Sequence, residues 1–454
     1  MQKYYRTVVQ TGTVNQGVLK LSSQQAAALE LSDQTTTNLY AGQKRMQITI
    51  SISDSNKNKN HFYLSSGDLK KLRLHSGHSY GVSKQADGIH LGPVVGIMAE
   101  GYPRSGKPFG MQSFFIKQLI ISARELGEIC YGFTPSKINW ANKTITGYTW
   151  IRNRWVKAIF PLPDVVYPRE KGYSSYNQSI RKRLEAEGCK FLNPSLIGKW
   201  QTYQILSKNP AVKNALPETM LVRDFRPVER MLKRYHSVYM KPVAGCQGRN
   251  IIKVRKSGSS YQYKYQMNNR MHEGSASSLA GLKGALRRVM GKQTYIVQQQ
   301  INLLSHDGNI LDVRVMMQKD NSGNFSVTGK ACRIGRPGSI TSNISAGGHG
   351  RTLDFILSRH FSGQEQRESI ANEVERVAMD AAQTLDKTLD KTLGNIGELG
   401  IDIGIDTEGR VWFIEANLRP ARQIFLLIKE PAVRKQTIVK PLLYCRSLAG
   451  FSEL

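Results

Sequence analysis

The pattern of hydrophobic and polar positions changes along the chain, and each pattern predicts a different kind of structure. Residues 46–52 alternate apolar and polar side chains, as a half-buried strand does, whereas residues 94–98 form a continuous apolar run that is typical of a buried parallel strand. Helical spacing follows at residues 113–127, before another short apolar run. The pattern predicts a small β domain over residues 1–90 and an α/β domain over residues 91–195.

From residue 196 onward, strands and amphipathic helices are mixed rather than regularly alternating. Short β-type runs are separated by glycine-rich turns, and the longest helical pattern covers residues 365–393. This mixture predicts an α+β domain over residues 196–454, with subdomains of about 196–300 and 301–454. Its main predicted strands cover residues 237–242, 251–254, 294–301, 311–317, 400–406 and 413–417.

The last two of these strands form a predicted β-hairpin with polar side chains inside an apolar pattern. Asp402, Glu415 and Asn417 fall on one face if the strands pair across the turn at residues 407–410. Such oxygen ligands suit Mg²⁺, which takes one or two carboxylates together with substrate phosphates. Asp406, nearer the turn, is a second candidate ligand. Carboxylates beside a hairpin turn are also commonly solvated, so these residues alone leave the metal and surface interpretations open.

A glycine-punctuated turn joins two earlier predicted strands. Lys241 ends the first of them, and Gly245, Gln247 and Gly248 lie in the turn. A hairpin with a flexible tip and flanking basic side chains can fold over a triphosphate through its backbone N–H groups. An ordinary hairpin with a surface lysine has the same pattern.

Two further strands carry polar side chains where a ligand cleft would need them. The strand at residues 294–301 turns polar at its end, as expected where a backbone edge and amide side chains meet a purine. Asp312 and Arg314 fall on one face of the next strand, which either lines a cleft or lies at the surface. The Gly/Ser-rich segment 339–350, which contains Asn343, is typical of a loop that closes over anionic ligands.

Composition narrows the class of protein without changing these elements. At 454 residues with 40% hydrophobic side chains, the chain can bury a large core. Its 64 Lys and Arg against 34 Asp and Glu give a net charge of +30, which predicts an acidic partner such as a nucleotide, an anionic peptide or a polyanionic surface. The basic residues form no long run and no aromatic-interleaved signature, which disfavours nucleic acid. No apolar window is long enough for a membrane span or a signal peptide, so we expect an intracellular protein.

These pieces occur in an order that resembles the ATP-grasp family, in particular its YheC/YheD type of endospore coat-associated proteins. The resemblance covers residues 193–423 and implies an ATP-grasp fold of α/β and α+β architecture. A Rossmann-like pre-ATP-grasp domain and the small β domain would precede it. The ordered pieces are Lys199 on a helix, Lys241 before the glycine hairpin, Gln298-Gln299-Gln300, Asp312-Val313-Arg314, the loop with Asn343, and Asp402 with Glu415-Ala416-Asn417.

The resemblance implies two cofactors, ATP and a divalent cation. ATP would lie between two α+β halves, and Mg²⁺ or Mn²⁺ would be held by Asp402, Glu415 and Asn417. Lysines would neutralise phosphate oxygens, and the glycine hairpin would act as a lid. The residues implied to bind ATP are Lys199, Lys241, Gly245, Gln247, Gly248, Gln298, Gln299, Gln300, Ile301 and Asn343.

The reaction implied by the resemblance is amide formation between a carboxylate and an amine of an amino acid, peptide or protein. Arg314, Lys330 and Arg333 would be catalytic and would face the γ-phosphate and the substrate carboxylate. Arg419 and Arg422, just past the predicted metal face, would grip an acidic substrate. The acid would take the γ-phosphoryl group to become an acyl phosphate, and the amine would then displace phosphate.

A second hypothesis is a nucleotide-binding structural protein of the spore coat, with little or no catalysis. The high positive charge and the β-rich N-terminal module favour it, because a ligase needs neither and a polyanionic spore surface would attract a basic protein. A kinase that releases a phosphorylated acid is a third, weaker hypothesis. We expect a cytoplasmic protein that associates with the spore coat.

Overall fold

The structure is a computed structural model, and it divides into two compact units. The first comprises Met1–Pro194, Lys319–Asn324 and Ile438–Leu454, and the second comprises Ser195–Gln318 and Phe325–Thr437. Residues whose structure is described are 4–54, 60–102, 106–170, 174–193, 197–245, 250–267, 270–342 and 348–451.

The first unit begins with a closed β-barrel, the small β module that the alternating pattern predicts. Its elements are β1 (Tyr4–Thr11), β2 (Val18–Leu21), α1 (Ser23–Ala28), β3 (Thr36–Ala41), β4 (Lys44–Ile52), β5 (His61–Leu64), α2 (Ser66–Leu72), β6 (His78–Gln85) and β7 (Gly88–Gly92). The strand order is β1-β5-β2-β4-β3-β7-β6, and β6 pairs back onto β1. Ile48 and Ile50, two apolar positions of the alternating strand, are buried in the barrel core with Leu19 and Phe62.

A seven-stranded sheet forms the rest of the first unit. Its elements are β8 (Val94–Met98), α3 (Ser113–Glu125), β9 (Ile129–Phe133), β10 (Ile138–Asn139), β11 (Thr144–Ile151), β12 (Arg154–Pro161), β13 (Val165–Pro168), α4 (Ser175–Ala186), β14 (Lys190–Phe191) and α12 (Pro431–Leu448), which enters this unit at Ile438. The order is β10-β11-β9-β8-β13-β14, with β12 beside β11. Strands β9, β8, β13 and β14 are parallel neighbours, as the continuous apolar runs predict, and they give the Rossmann-like character that the resemblance implies.

The second unit contains two antiparallel sheets, of which the first lies nearer the N-terminus. Its elements are α5 (Lys199–Leu206), α6 (Pro210–Lys213), β15 (Thr219–Val222), α7 (Arg226–Tyr235), β16 (Ser237–Pro242), β17 (Ile252–Ser257), β18 (Ser260–Met267), β19 (Arg270–Ala276), α8 (Leu279–Met290) and β20 (Tyr295–Gln299). The strand order is β15-β20-β16-β17-β18-β19. Helices α7 and α8 cover one face, where Met231 and Leu286 join the core of Val238 and Val254.

The second sheet of this unit carries the predicted hairpin. Its elements are β21 (Ser305–His306), β22 (Asn309–Lys319), β23 (Phe325–Ile334), β24 (His349–Arg351), α9 (Leu353–His360), α10 (Gln364–Leu393), β25 (Glu398–Ile405), β26 (Val411–Asn417) and α11 (Ile424–Leu427). The order is β24-β23-β22-β25-β26, with β21 beside β22. Helix α10 buries Val374 and Val377 against Val313 and Ile401 on one face. None of the helices in the described part of the chain combines the length and apolar composition that crossing a bilayer requires.

Candidate functional site

Asp402, Glu415 and Asn417 lie side by side on one face of the β25–β26 hairpin. Asp402 is the register partner of Glu415, Gly400 is the partner of Asn417, and the register shifts just after Asp402. The side-chain Nδ2 of Asn417 donates to Oδ2 of Asp402 at 3.3 Å. Strand pairing alone therefore brings these three oxygen-bearing side chains together.

Two arginines connect carboxylates from neighbouring strands beside this hairpin. Arg314 of β22 donates to both oxygens of Asp402, at 2.5 Å from Nε and 3.1 Å from Nη2. Arg333 of β23 donates from Nε and Nη2 to the two oxygens of Asp312, at 2.7 and 2.6 Å, and its Nη2 also lies 2.8 Å from Oδ2 of Asp402. Bidentate pairing of this kind fixes the plane of each guanidinium. We call Asp312, Arg314, Arg333 and Asp402 the Arg–Asp cluster.

The charges of the Arg–Asp cluster compensate one another inside the protein. Its four residues are buried, at 5–7% exposure. Burial disfavours the charged form of Asp402, but Arg314 and Arg333 outweigh it and hold the pKa of this carboxyl below its usual range. Burial opposes the charge of Arg333 as well, and the carboxylates of Asp312 and Asp402 still raise its pKa. Both shifts favour the charged forms of Asp402 and Arg333.

Lys199, the first residue of α5, connects the glycine turn to the hairpin face. Its Nζ donates to the carbonyl oxygen of Gly245 at 2.8 Å and lies 3.2 Å from Oε1 of Glu415. Gly245 has a φ of +143°, a conformation that a residue with a side chain rarely adopts. The lysine thus lies between the turn and the hairpin, the two elements that the sequence places around a triphosphate.

Lys241, at the end of β16, is a second cation in the same site. Its Nζ donates to Oε1 of Gln298 at 2.5 Å, and Nε2 of Gln298 donates to Oγ1 of Thr219 at 3.0 Å. Burial lowers the pKa of Lys241, the carboxylate of Glu415 opposes this effect, and the charge of Lys199 adds to it. The resulting pKa is about 8. Lys241 is therefore a cation that loses its proton just above neutral pH.

The consecutive glutamines at the end of β20 have different partners. Gln298 accepts from Lys241, whereas Oε1 of Gln299 accepts from the backbone N–H of Glu218 at 3.3 Å. Oε1 of Gln300 accepts from the hydroxyl of Ser237 at 2.5 Å. The structure thus uses two of these amides to join neighbouring segments, and Ile301, which follows them, is half-buried.

Two predicted site residues have other partners, and this corrects the sequence interpretation. Lys330 lies on the same strand as Arg333, but residues three apart on a strand point to opposite faces, and Lys330 is ion-paired with Glu375 of α10. Arg422 is buried and donates to Glu398 and, at 2.9 Å, to the carbonyl oxygen of Thr437. The structure assigns both side chains structural ion pairs in place of the predicted contacts with phosphate and substrate.

The structure describes one further predicted substrate residue, Arg419. Arg419, two positions after Asn417, is half-buried, and its contact with a substrate stays a prediction. Gln247, Gly248 and Asn343 lie outside the described residues.

A second buried network supports the hairpin, and the sequence analysis missed it. Nε2 of Gln318 donates to Oε2 of Glu398 at 3.0 Å and to the carbonyl oxygen of Thr437 at 3.0 Å, beside the Arg422 ion pair. Glu398 is fully buried on β25, four residues before Asp402 and on the same face. A lone carboxylate at that spacing in an apolar strand was the signal that could have revealed it.

The hairpin face fits a hard divalent cation. Among the described residues no three His, Cys, Asp or Glu side chains form a metal-binding group. A cation at the hairpin face would be held by Asp402, Glu415 and the amide oxygen of Asn417. Mg²⁺ and Mn²⁺ favour oxygen ligands, and Mg²⁺ completes such small protein sets with phosphate oxygens and water. Asp402 would share its carboxylate between this cation and the two arginines.

The candidate site thus combines Lys241 of the first sheet of the second unit, Lys199 of α5, and the Arg–Asp cluster with the hairpin face of the second sheet. A family model described as YheC/D like ATP-grasp matches residues 188–448, more than half of the chain. The chain therefore belongs to the YheC/D-like ATP-grasp family. This confirms the resemblance and the fold class expected from the sequence.

Two relatives with similar sequences agree with this assignment. The endospore coat-associated protein YheD of Bacillus subtilis (strain 168) is 30% identical over 344 residues, which cover 74% of this chain and 74% of YheD. YheC of the same organism, also named an endospore coat-associated protein, is 25% identical over 347 residues, covering 74% and 92%. Among solved structures, the D-cycloserine synthetase DcsG has a TM-score of 0.46 and 12% identity, over 77% of this chain and 99% of that one.

Proposed function

We propose that the chain is an ATP- and Mg²⁺-dependent ligase that joins a carboxylate to an amine of an amino acid, peptide or protein. The observation that carries the proposal is the position of Lys199, which contacts both Gly245 of the glycine turn and Glu415 of the hairpin face. Membership of the ATP-grasp family supports an ATP-dependent ligase as the reaction class. Arg314 and Arg333, beside Glu415, favour an acidic group as the acceptor.

In this proposal the lysines bind the nucleotide phosphates. Lys199 and Lys241 neutralise phosphate oxygens as point charges, and Lys199 exchanges its contact with Glu415 for one with the nucleotide. A divalent cation at the hairpin face would draw off the charge that develops as the γ-phosphoryl group transfers.

The arginines act on the substrate. Arg314 and Arg333 are held in plane by Asp402 and Asp312, so their remaining N–H donors point in fixed directions. A substrate carboxylate bound there is oriented for attack and shielded from the negative γ-phosphate. Catalysis of this kind depends on position and charge rather than on a protein nucleophile.

The proposed reaction has two steps. An oxygen of the substrate carboxylate bonds to the γ-phosphorus while the bond from that phosphorus to ADP breaks, which leaves an acyl phosphate and ADP. The amine nitrogen then bonds to the acyl carbon, gives up a proton, and releases phosphate. The products are an amide, ADP and inorganic phosphate.

Hydroxylamine should trap the first step. Incubation with ATP, Mg²⁺, a panel of acidic amino acids and peptides, and hydroxylamine should yield a hydroxamate in step with ADP, because hydroxylamine attacks an acyl phosphate in place of the amine. Lys199→Met should reduce both products by about tenfold or more, since a phosphate contact is lost. The matched control Lys208→Met changes an exposed lysine just past α5 and should have no effect. ADP release with a stable phosphoester and no hydroxamate would instead indicate a kinase.

Nucleotide binding should be coupled to proton uptake between about pH 8 and the ordinary lysine value of 10.5. A bound phosphate favours the charged form of Lys241 and raises its pKa again, so ATP affinity should fall as the pH rises through about 8. Calorimetry in buffers with different ionisation enthalpies measures the proton uptake directly. Lys241→Arg, which stays charged, should abolish it; the same uptake in both proteins would contradict this role of Lys241.

A second candidate function is a nucleotide-binding structural protein that turns over little or no ATP. The names of YheD and YheC as endospore coat-associated proteins favour it, together with the net charge of +30, which suits deposition on a polyanionic spore surface. In either case we place the protein in the cytoplasm before it joins the coat, because ATP is available there. ATP binding without ADP release across the substrate panel would support this candidate over the ligase.

A further inference from the structure

The β11–β12 hairpin of the first unit has a free long edge. Strand β12 pairs with β11 from Ile151 and Arg154 at the turn to Thr144 and Pro161 at the base. Within the described residues β12 has no second neighbour, so one side of it presents unpaired backbone N–H and C=O groups. We call the strand Arg154–Pro161 the β12 edge.

Aromatic packing holds this edge in place. Trp150 and Trp155 are opposite one another across the hairpin, with ring centroids 5.4 Å apart, and Phe109 lies 5.9 Å from Trp155. Lys117 of α3 places its Nζ 4.0 Å from the Trp150 ring, and Arg124 donates to the Trp150 carbonyl oxygen at 2.5 Å. The edge is therefore a preformed surface rather than a loose ribbon.

The exposed side chains of the β12 edge are apolar or basic. Ile159 is 48% exposed and shares a face with Trp155 and Lys157. Lys157, Arg152 and Arg154 are exposed, no Asp or Glu occurs between residues 144 and 161, and no ion pair of the described residues involves any of these three cations. The edge thus combines free backbone groups with uncompensated positive charge.

From this combination we infer that the β12 edge binds an extended acidic peptide segment by strand addition, a role separate from the proposed ligase site. Backbone hydrogen bonds would continue the sheet, and alternate side chains of the added strand would meet Trp155, Lys157 and Ile159 on one face. Arg154 faces the other side, three residues from Lys157, so the segment should carry two carboxylates three residues apart. A second copy of β12 is a poor occupant because its cations would oppose these cations, a recognised protection of edge strands against self-pairing.

A rhodamine-labelled peptide Glu-Val-Thr-Glu-Thr-Val tests this inference with the full-length protein. Fluorescence anisotropy at about 0.15 M salt should show saturable binding. The doubly substituted variant Arg154→Glu/Lys157→Glu should bind about tenfold more weakly or worse, because two favourable charge pairs become repulsive. Its matched control, Lys71→Glu/Lys182→Glu, changes net charge equally on exposed helix positions and should bind within about twofold of the unsubstituted protein.

A charge-swapped peptide makes the test specific. Lys-Val-Thr-Lys-Thr-Val should bind the Arg154→Glu/Lys157→Glu variant and not the unsubstituted protein. Equal weakening in both substituted variants, or equal binding of a duplex oligonucleotide, would show a general polyanion effect and overturn the inference. Concentration-dependent dimers that the substitutions abolish would overturn it in favour of a second copy. All of these readouts are independent of ATP turnover, so failure of the ligase proposal leaves them unchanged.

Discussion

Replacing Glu415 with glutamine should lower ATP-dependent hydroxamate formation by about a hundredfold, with the fold retained. Glutamine has nearly the same shape, but it removes a negative charge from the hairpin face and the partner that lies 3.2 Å from Nζ of Lys199. Both effects act on the same phosphates, since the cation loses a ligand and Lys199 loses its position. The variant should also need a higher Mg²⁺ concentration for half-maximal rate.

The rate as a function of Mg²⁺ concentration measures this effect. Glu408→Gln is the matched control, because Glu408 is an exposed carboxylate in the turn of the same hairpin and should leave the rate unchanged. Thermal unfolding of both variants near that of the unsubstituted protein excludes a folding defect. An unchanged rate for Glu415→Gln would remove the proposed metal role and, with it, the centre of the ligase proposal.

Replacing Arg333 with methionine should cost about 3–5 kcal/mol of unfolding free energy. Arg333 donates to both Asp312 and Asp402. Without it, the hydroxyl of Ser342 is the side-chain donor that still reaches the buried Asp312 in the described part of the chain. Asp402 still has its ion pair with Arg314 in this variant. The loss of unfolding free energy therefore comes mainly from the unpaired carboxylate of Asp312. Methionine fills most of the volume, so the effect measures charge rather than a cavity.

Urea unfolding gives this free energy, with Arg359→Met on the exposed side of α9 as the control. Adding Asp312→Asn to Arg333→Met should recover part of the stability, because an amide is cheaper to bury than an unpaired carboxylate. A loss below about 1 kcal/mol for Arg333→Met would mean that the Arg–Asp cluster is not a buried charge network.

Patterns within one strand or hairpin were enough to predict the hairpin face. Strand alternation and a turn at residues 407–410 place Asp402, Glu415 and Asn417 together, and the structure has them on paired positions. Strand alternation in β23 places Lys330 and Arg333 on opposite faces. The sequence pattern was therefore sufficient to show that Lys330 does not share a site with Arg333. Glu375, the partner of Lys330, lies on a helix that begins thirty residues after β23 ends.

Contacts between distant segments were beyond such patterns. Nothing local in the first 90 residues shows that β6 pairs back onto β1 and closes a barrel. Likewise, Arg422 follows the hairpin face closely in sequence and so resembles a substrate-binding residue. Its ion pair with Glu398 of β25 becomes visible only in the folded chain. The free edge of β12 is also a property of the assembled sheet, because a strand is an edge only by virtue of its neighbours.

The contact of Lys199 with Glu415 has a consequence for how the site accepts a ligand. This lysine has a counter-ion within the protein, and each carboxylate of the Arg–Asp cluster has one as well. If the chain binds ATP as proposed, an incoming triphosphate with its cation would exchange partners with Lys199 and Glu415, so neither of these two charges would have to be buried alone. Under the proposed function, Glu415 would act as an internal anion that the nucleotide phosphates replace at Lys199.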